Sequence, residues 1–354
     1  MKIMCQFCKS VYNIRIESLP HRKIVTVRCK KCGNLIRFVH PLENGADAVS
    51  APSNHRVSSV EKGPPQAAPG HDPAKVRALK QKIRMCLMGF IPPIAHVVAK
   101  AQMVMSDPDA GLRDLVEVIE TDQGITTYAL RVANSAYYGL SGRVTSIRHA
   151  SVLLGNKIMG EIIAMAGARG FLGKMLRGYG LESEVLWRHS LAVAIGCKML
   201  ATRKAPDLEQ DAFAAGLLHD AGMIMLDPYI FEKKELFDEI MEDGTCTFLQ
   251  AERITLGLDH CEVCAEMFAE WGLPKGLLKP VAHHHRPGAS AGGLGYAVHI
   301  ADIMARRCGY GAGVDDMLYQ ADKRAMAFFD LEEEALAGLC GEIRDSVKKI
   351  VMEM

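Results

Sequence analysis

The sequence is poor in aromatic residues, which make up 6% of its 354 positions, while Ala, Leu and Met are plentiful within a hydrophobic share of 49%. That balance disfavours extensive sheet and favours helix. Net charge is also nearly absent: 42 basic residues face 41 acidic ones, a formal charge of +1. No global basic field therefore points to nucleic acid or to an anionic membrane. No stretch reaches about 18 consecutive apolar residues, so no membrane span is expected. The N-terminal MKIMCQFCKSVYN lacks the apolar core of a signal peptide. Eleven cysteines without a secretory signal suggest free thiols and metal ligands in a reducing compartment, and a cytoplasmic location is expected.

What is present divides into zones. Residues 1–40 are rich in Cys and β-branched residues, and Lys23–Cys29 alternates as a short strand would. Residues 41–75 are dominated by Pro, Gly, Ser, Ala and Asn with no hydrophobic period, the composition of a flexible, disordered linker. Helical periodicity takes over from residue 76. It predicts helices over Asp109–Thr121, Leu186–Arg203, Asp211–Leu226, Cys261–Trp271, Leu294–Cys308 and Leu331–Val351. Gly272 and Pro274 supply a stop after the fourth. The expected organisation is a small β module over 1–40, the linker over 41–75, an all-α domain over 76–310, and C-terminal helices over 311–354 packing on it.

The first chemical signal is a pair of CxxC knuckles, Cys5/Cys8 and Cys29/Cys32. A CxxC turn presents two thiolates to one ion, and two such turns complete a zinc tetrahedron. A segment this small cannot hold a fold by its core alone, so Zn2+ would supply the stability. The segment resembles the short zinc ribbons at the N-termini of bacterial regulatory proteins. Arg28, Lys30, Lys31 and Arg37 make it locally basic, a weak argument for nucleic acid, since such a group is as easily a solvated face.

The second signal is a series of histidines and aspartates on otherwise apolar helices: His189, the adjacent His219 and Asp220, His260, His284 and His285, and Asp302. His299 lies three residues before Asp302, on the same helical face. Imidazole and carboxylate suit Zn, Fe, Mn or Ni, and a carboxylate beside histidine can bridge two ions. Spacing alone leaves two readings open, a metal site and scattered core histidines.

The order of these residues resembles the ligand order of the HD superfamily of metal-dependent phosphohydrolases, and most closely its bacterial signalling branch, the HDOD family. Further blocks carry the likeness: IPPIAHVV, VANSAYYGL, SIRHASVLLG, LLHDAG, DHCEVCAEMFAEWGLP and HHRP, spread over about residues 84–308. The resemblance implies an all-α HD-type domain with a mono- or dinuclear Fe, Mn, Ni or Zn site on His189, His219, Asp220, His260, His284, His285 and Asp302. It differs from the cyclic-di-GMP phosphodiesterases of the HD-GYP type in two places. The lysine that follows their HD pair is Met223, which can neither neutralise a phosphate nor donate a hydrogen bond, and no GYP follows His285. Arg286 is the available substitute cation.

These features predict a regulatory protein whose helical domain binds a metal or ligand and engages regulatory protein partners, without cyclic-di-GMP hydrolysis. The alternative is a metal-dependent phosphohydrolase acting on a nucleotide or cyclic dinucleotide. Cys261 and Cys264 form a third CxxC with no partner knuckle, and small-residue packing is the expected role for both. Met223, Met225, Met267 and Met304 are expected as core filler, and His96, His149 and His283 as structural or exposed residues.

Overall fold

The computed structural model describes residues 2–4, 11–13, 24–28, 35–39, 72–89, 116, 123–242, 244–311, 315–316 and 318–352. Near the N-terminus β1 (Lys2–Met4) pairs antiparallel with β2 (Val11–Asn13), and β3 (Ile24–Arg28) with β4 (Leu35–Val39). β3 falls in the stretch whose alternation predicts a strand. Cys5, Cys8, Cys29 and Cys32 lie outside the described residues, as do linker residues 41–71 and nearly all of the helix expected over Asp109–Thr121.

The first helix, α1 (Pro73–Gly89), starts a little before residue 76. Asp72 explains the start: its Oδ1 accepts from the Ala74 amide at 2.9 Å, while Pro73 loses nothing at a position with no intrahelical amide bond. α2 (Gln123–Ala133) packs on α3 (Ile147–Leu172). α3 has the length and composition of a membrane span, yet 61% of that window is buried in the protein and Gly155 breaks the helix at φ 78°.

α4 (Val185–Lys204) is the axis of the domain, packed against α5 (Glu209–Leu218), α11 (Gly292–Ala305) and α13 (Glu333–Val351). Small residues set these crossings. A Cβ on Gly216 of α5 would stand 2.8 Å from Cys197 Sγ, and one on Gly196 of α4 would stand 3.0 Å from Ala301 Cβ on α11. Close backbone approach at both crossings brings three polar side chains, one from each neighbourhood, to a common point. Between α5 and α11 run α6 (Gly222–Phe231), α7 (Lys234–Glu242), α8 (Phe248–Leu256), α9 (His260–Glu270) and α10 (Lys275–Ala282). A π-helical turn, Arg306–Tyr310, extends α11, and α12 (Lys323–Phe328) precedes α13.

Two expectations need correction. Asp211–Leu226 is not one helix: α5 ends at Leu218 and α6 begins at Gly222. At the corner the amides of Ala221 and Met223 bond the carbonyls of Leu218 and Asp220, three residues back, at 3.0 Å each. The cause is packing, because a Cβ on Gly222 would collide with the His260 carbonyl oxygen and stand 2.9 Å from the Cys264 amide. α6 thus turns to run against α9, and His219 and Asp220 occupy the corner. The second correction concerns sulfur: Cys308 and Cys340 form a disulfide between the π-helical turn and α13, where free thiols are expected.

Candidate metal centre

Each element delivers its polar residue for a local reason. α4 carries His189 on a helix whose other buried positions are apolar or small, Ser190 among them. α9 begins at His260 because Asp259 caps it, accepting from the Glu262 amide at 3.0 Å, a contact worth roughly 1 kcal/mol. Arg253 holds that cap in place, its Nε donating to Asp259 Oδ2 at 2.6 Å. His284 and His285 follow the end of α10, and Asp302 lies on α11. The structure brings all seven candidate ligands together, with side chains between 0% and 4% exposed.

Asp220 sits in the middle and uses its two oxygens differently. Oδ2 lies 3.4 Å from His189 Nε2 and 3.2 Å from His219 Nε2. Oδ1 lies 3.4 Å from both His260 Nε2 and His284 Nε2. On the first side Asp302 Oδ1 completes the group, 3.2 Å from His189 Nε2. On the second side His285 Nε2 is 3.1 Å from the Nε2 atoms of His260 and His284.

The histidine tautomers follow from their outer partners. Nδ1 of His189 faces the Tyr310 carbonyl, that of His219 the Gly216 carbonyl, and that of His284 the Val281 carbonyl, each at 2.8 Å. A carbonyl only accepts, so these Nδ1 atoms carry the proton. His260 Nδ1 donates to Glu252, at 2.8 Å from its nearer oxygen; that carboxylate also accepts from the His260 amide and from Tyr179 Oη. With Nδ1 taken up by these outer partners, all four imidazoles turn Nε2 toward one another and toward Asp220, where either protons or a cation must stand between them. Asp220 Oδ1 and His285 Nδ1 are buried with no hydrogen-bond partner.

The spacing also suits a cation. Two nitrogen ligands about 2.05 Å from a tetrahedral ion stand roughly 3.3 Å apart, and the Nε2–Nε2 separations here are 3.1 to 3.3 Å. Outer hydrogen bonds of this kind fix a ligand histidine's tautomer and direction. The donor set therefore fits a divalent metal ion.

Electrostatics agree. Burial pushes the Asp220 carboxyl up, but His219, His189 and His284 overcome it and hold the group well below the usual range. Asp302 is likewise buried and held low by Arg306, whose Nε donates to it at 2.7 Å, and by His189 and His285. Burial pushes His189 down, yet Asp220 and Asp302 raise it to about 9, and Cys261 and Asp220 raise buried His284 to about 10. Burial lowers His219, and burial with neighbouring His284 drives His285 well down. Protons cannot fill this cluster evenly, because each one taken up raises the cost of the next.

Several residues depart from their expected places. His299 shares a face with Asp302 but stays outside the cluster: Nδ1 donates to the His284 carbonyl at 2.7 Å and Nε2 accepts from the Asp322 amide at 2.9 Å. Cys264 packs with its thiol donating to the Leu218 carbonyl at 3.1 Å; Cys261 is buried as well, with its Sγ 3.4 Å from His260 Nε2. Met223, Met267 and Met304 are buried core residues and His149 and His283 are exposed, as the sequence predicts. Glu252, Tyr179 and Arg306 were missed. Only Arg306 leaves a trace in the sequence, four residues after Asp302 on one helical face.

Tyr319 closes the outer side, stacked on His285 and lying 4.3 Å beneath the Arg306 guanidinium. Beyond it a cavity of about 310 Å³ is lined by Thr245, Thr247, Gln250, His285, Arg286 and Tyr319, among others. Arg286 is exposed, with no ion pair among the described residues.

Comparison with known proteins adds the frame. The model of the HDOD domain matches residues 91–287, more than half of the chain. The chain belongs to the HDOD family. Asp302, Arg306 and Tyr319 lie beyond the matched part of the HDOD domain. An uncharacterized protein of Treponema pallidum (strain Nichols) is 26% identical over 198 residues, 55% of this chain but 37% of its own length. The HDOD chain thus spans well under half of that curated relative. Among solved structures, an HDOD domain protein of unknown function from Geobacter sulfurreducens shares 24% identity at TM-score 0.59, covering 78% of this chain and 99% of its own. A structure from Marinobacter aquaeolei VT8, described as a candidate signal transduction protein, shares 18% at TM-score 0.61, covering 79% and 65%. One from Shewanella amazonensis SB2B, described as a candidate phosphohydrolase, shares 21% at TM-score 0.56, covering 78% and 97%. At these identities the likeness is one of fold.

Proposed function

We propose that this chain is a bacterial signalling or regulatory protein whose HDOD domain holds a dinuclear metal centre as a closed, metal- or ligand-dependent interaction module. The observation that carries the reading is the set of inward-facing Nε2 atoms around Asp220, 3.1 to 3.3 Å apart and enclosed with almost no solvent contact. His189, His219, Asp302 and one oxygen of Asp220 would hold one ion; His260, His284, His285 and the other oxygen would hold the second. Fe, Mn, Ni and Zn all suit such donors.

In this reading the bound metals tie α4, the His219–Ala221 corner, α9, α10 and α11 into one arrangement, and occupancy is the signal read by regulatory protein partners. The buried Met223 at the phosphate-binding lysine position and the absent GYP argue against cyclic-di-GMP hydrolysis. The N-terminal segment would be a Zn2+ ribbon on Cys5, Cys8, Cys29 and Cys32, a second interaction surface; nucleic acid is the weaker assignment for it, as only a few cations support it.

A second reading, a metal-dependent phosphohydrolase acting on a nucleotide or cyclic dinucleotide, is favoured by one observation. The cavity beside His285 presents Arg286, Thr245 and Thr247 next to the centre. A metal held by the His/Asp cluster would supply Lewis-acid activation of water and of a phosphoryl oxygen. Tyr319 would have to leave His285 before substrate could reach it, while Arg286 would orient the phosphate.

The test uses the full chain with Cys5, Cys8, Cys29 and Cys32 changed to Ser, so that ribbon zinc does not mask the count. Metal content by plasma mass spectrometry is expected near two equivalents and should fall to background when His219→Ala and Asp220→Ala are added. Equal metal content in both chains sinks the metal-centre reading. Phosphoester turnover that disappears with His219→Ala would replace the interaction module by the enzyme.

A further inference from the structure

We propose that Cys261 is a thiolate ligand of the metal position formed by His260, His284 and His285, which makes that half of the centre a mixed sulfur–nitrogen site. The inference rests on the metal-centre reading and deepens it by naming a donor that spacing alone assigns to packing.

Four observations carry it. Cys261 Sγ is 3.4 Å from His260 Nε2, and a sulfur at about 2.3 Å and a nitrogen at about 2.05 Å from one five-coordinate ion stand roughly 3.1 to 3.8 Å apart for angles of about 90° to 120°. Sγ also lies 3.7 Å from His284 Nδ1, and one candidate ligand atom from each of His260, Cys261, His284 and His285 falls within 4.8 Å of the others. The side chain is 2% exposed, so no solvent competes for it. Independently, Asp220 Oδ1 is buried, without a hydrogen-bond partner, and directed at the same pair of imidazoles. An unpartnered carboxylate oxygen and a sulfur thus converge on one point from opposite elements.

Position explains why this cysteine differs from its neighbour. Cys261 is in the first turn of α9, where the helix dipole favours negative charge on a side chain. Cys264, one turn later, bonds the Leu218 carbonyl instead. On metal binding the Cys261 S–H bond breaks, its proton goes to solvent and the sulfur lone pair forms the metal bond. A soft donor then biases this position toward Zn, Fe or Co and away from Mg and Mn, while the all-N/O position around His189 keeps no such preference.

The decisive experiment loads Co(II) anaerobically into the full chain carrying Cys5→Ser, Cys8→Ser, Cys29→Ser and Cys32→Ser. Two further chains add either Cys261→Ser or Cys264→Ser. The expected result is a sulfur-to-cobalt charge-transfer absorption in the near ultraviolet that persists with Cys264→Ser and is lost with Cys261→Ser, the visible cobalt bands remaining. Cobalt-edge X-ray absorption on the parent chain alone should show one sulfur scatterer at about 2.3 Å, which keeps the test decisive if the Cys261 variant folds poorly. Bound cobalt with visible bands but no sulfur signal overturns the thiolate and leaves the metal centre standing. Loss of the band with Cys264→Ser instead also overturns it. A parent chain that binds no cobalt overturns the thiolate and the metal centre together.

Discussion

Tyr319 lies stacked on His285, ring centroids 4.5 Å apart and planes inclined by 26°. It is the outermost contact of a side chain whose other neighbours belong to the centre. Such a pair is worth about 0.5–1.5 kcal/mol beyond simple burial. Tyr319→Ala should therefore leave metal content unchanged and raise the rate of extraction by a chelator roughly two- to tenfold, since 1.4 kcal/mol is a factor of about ten. An unchanged extraction rate would show that metal leaves by another route.

Glu252 never enters the cluster, yet it fixes the His260 tautomer, with both carboxylate oxygens within reach of Nδ1, and accepts the His260 amide on Oε2. Glu252→Gln keeps the shape and weakens the acceptor. Affinity should fall by roughly 10- to 100-fold, the usual cost of losing an outer partner of a ligand histidine. Competition against a chromogenic chelator reads it directly, and an unchanged affinity would detach Glu252 from the site.

The metal-free chain should lose stability with alkali while the metal-loaded chain holds its own. His189 and His284 have folded-state values raised from 6.5 to about 9 and about 10. A raised value stabilises the folded state fully below pH 6.5 and ceases to do so as pH climbs through the folded values. The melting temperature of the metal-free chain should fall across that window. Metal binding needs neutral imidazole and strengthens there, so the gap in melting temperature between the loaded and free chains should widen. A constant gap would refute the assignment of these two histidines.

Gly222 tests the corner. A Cβ there meets the α9 backbone, so Gly222→Ala should cost about 1–3 kcal/mol as overpacking and shift His260 enough to weaken metal binding. Gly276→Ala in α10, with open space around its Cβ, is the control and should be neutral or stabilising by up to about 1 kcal/mol. Calorimetry of both variants checks the contrast; equal melting temperatures would mean the crossing is not tight.

Much of the helical domain can be read from periodicity, since α9 and α13 each bury a stripe that the sequence displays, while α4, buried on every side from His189 to Cys197, reads as a central helix. The corner at His219–Ala221 could not be read this way. His219 and Ala221 keep helical dihedrals, and the break arises from α9, some forty residues away in sequence, pressing on Gly222. The seven ligand positions became legible through family likeness rather than spacing, because they come from five separate segments. His299 shows the limit of face arguments: it is on the right side of α11, but its ring is already satisfied by Asp322 and His284. Cys261 shows the reverse, a residue that looks like filler until its sulfur is located beside His260.

The cap that starts α9 also sets where the domain is handled from outside. α9 opens with His260 and presents Glu262 to Lys80 at 2.7 Å and Glu270 to Arg84 at 2.8 Å, both on α1. Ile83 and Leu87 of α1 are buried in the same packing. α1 thus grips α9 at both ends, at the turn beside His260 through Lys80 and at its last turn through Arg84, so any shift of α1 bears on the element that carries His260.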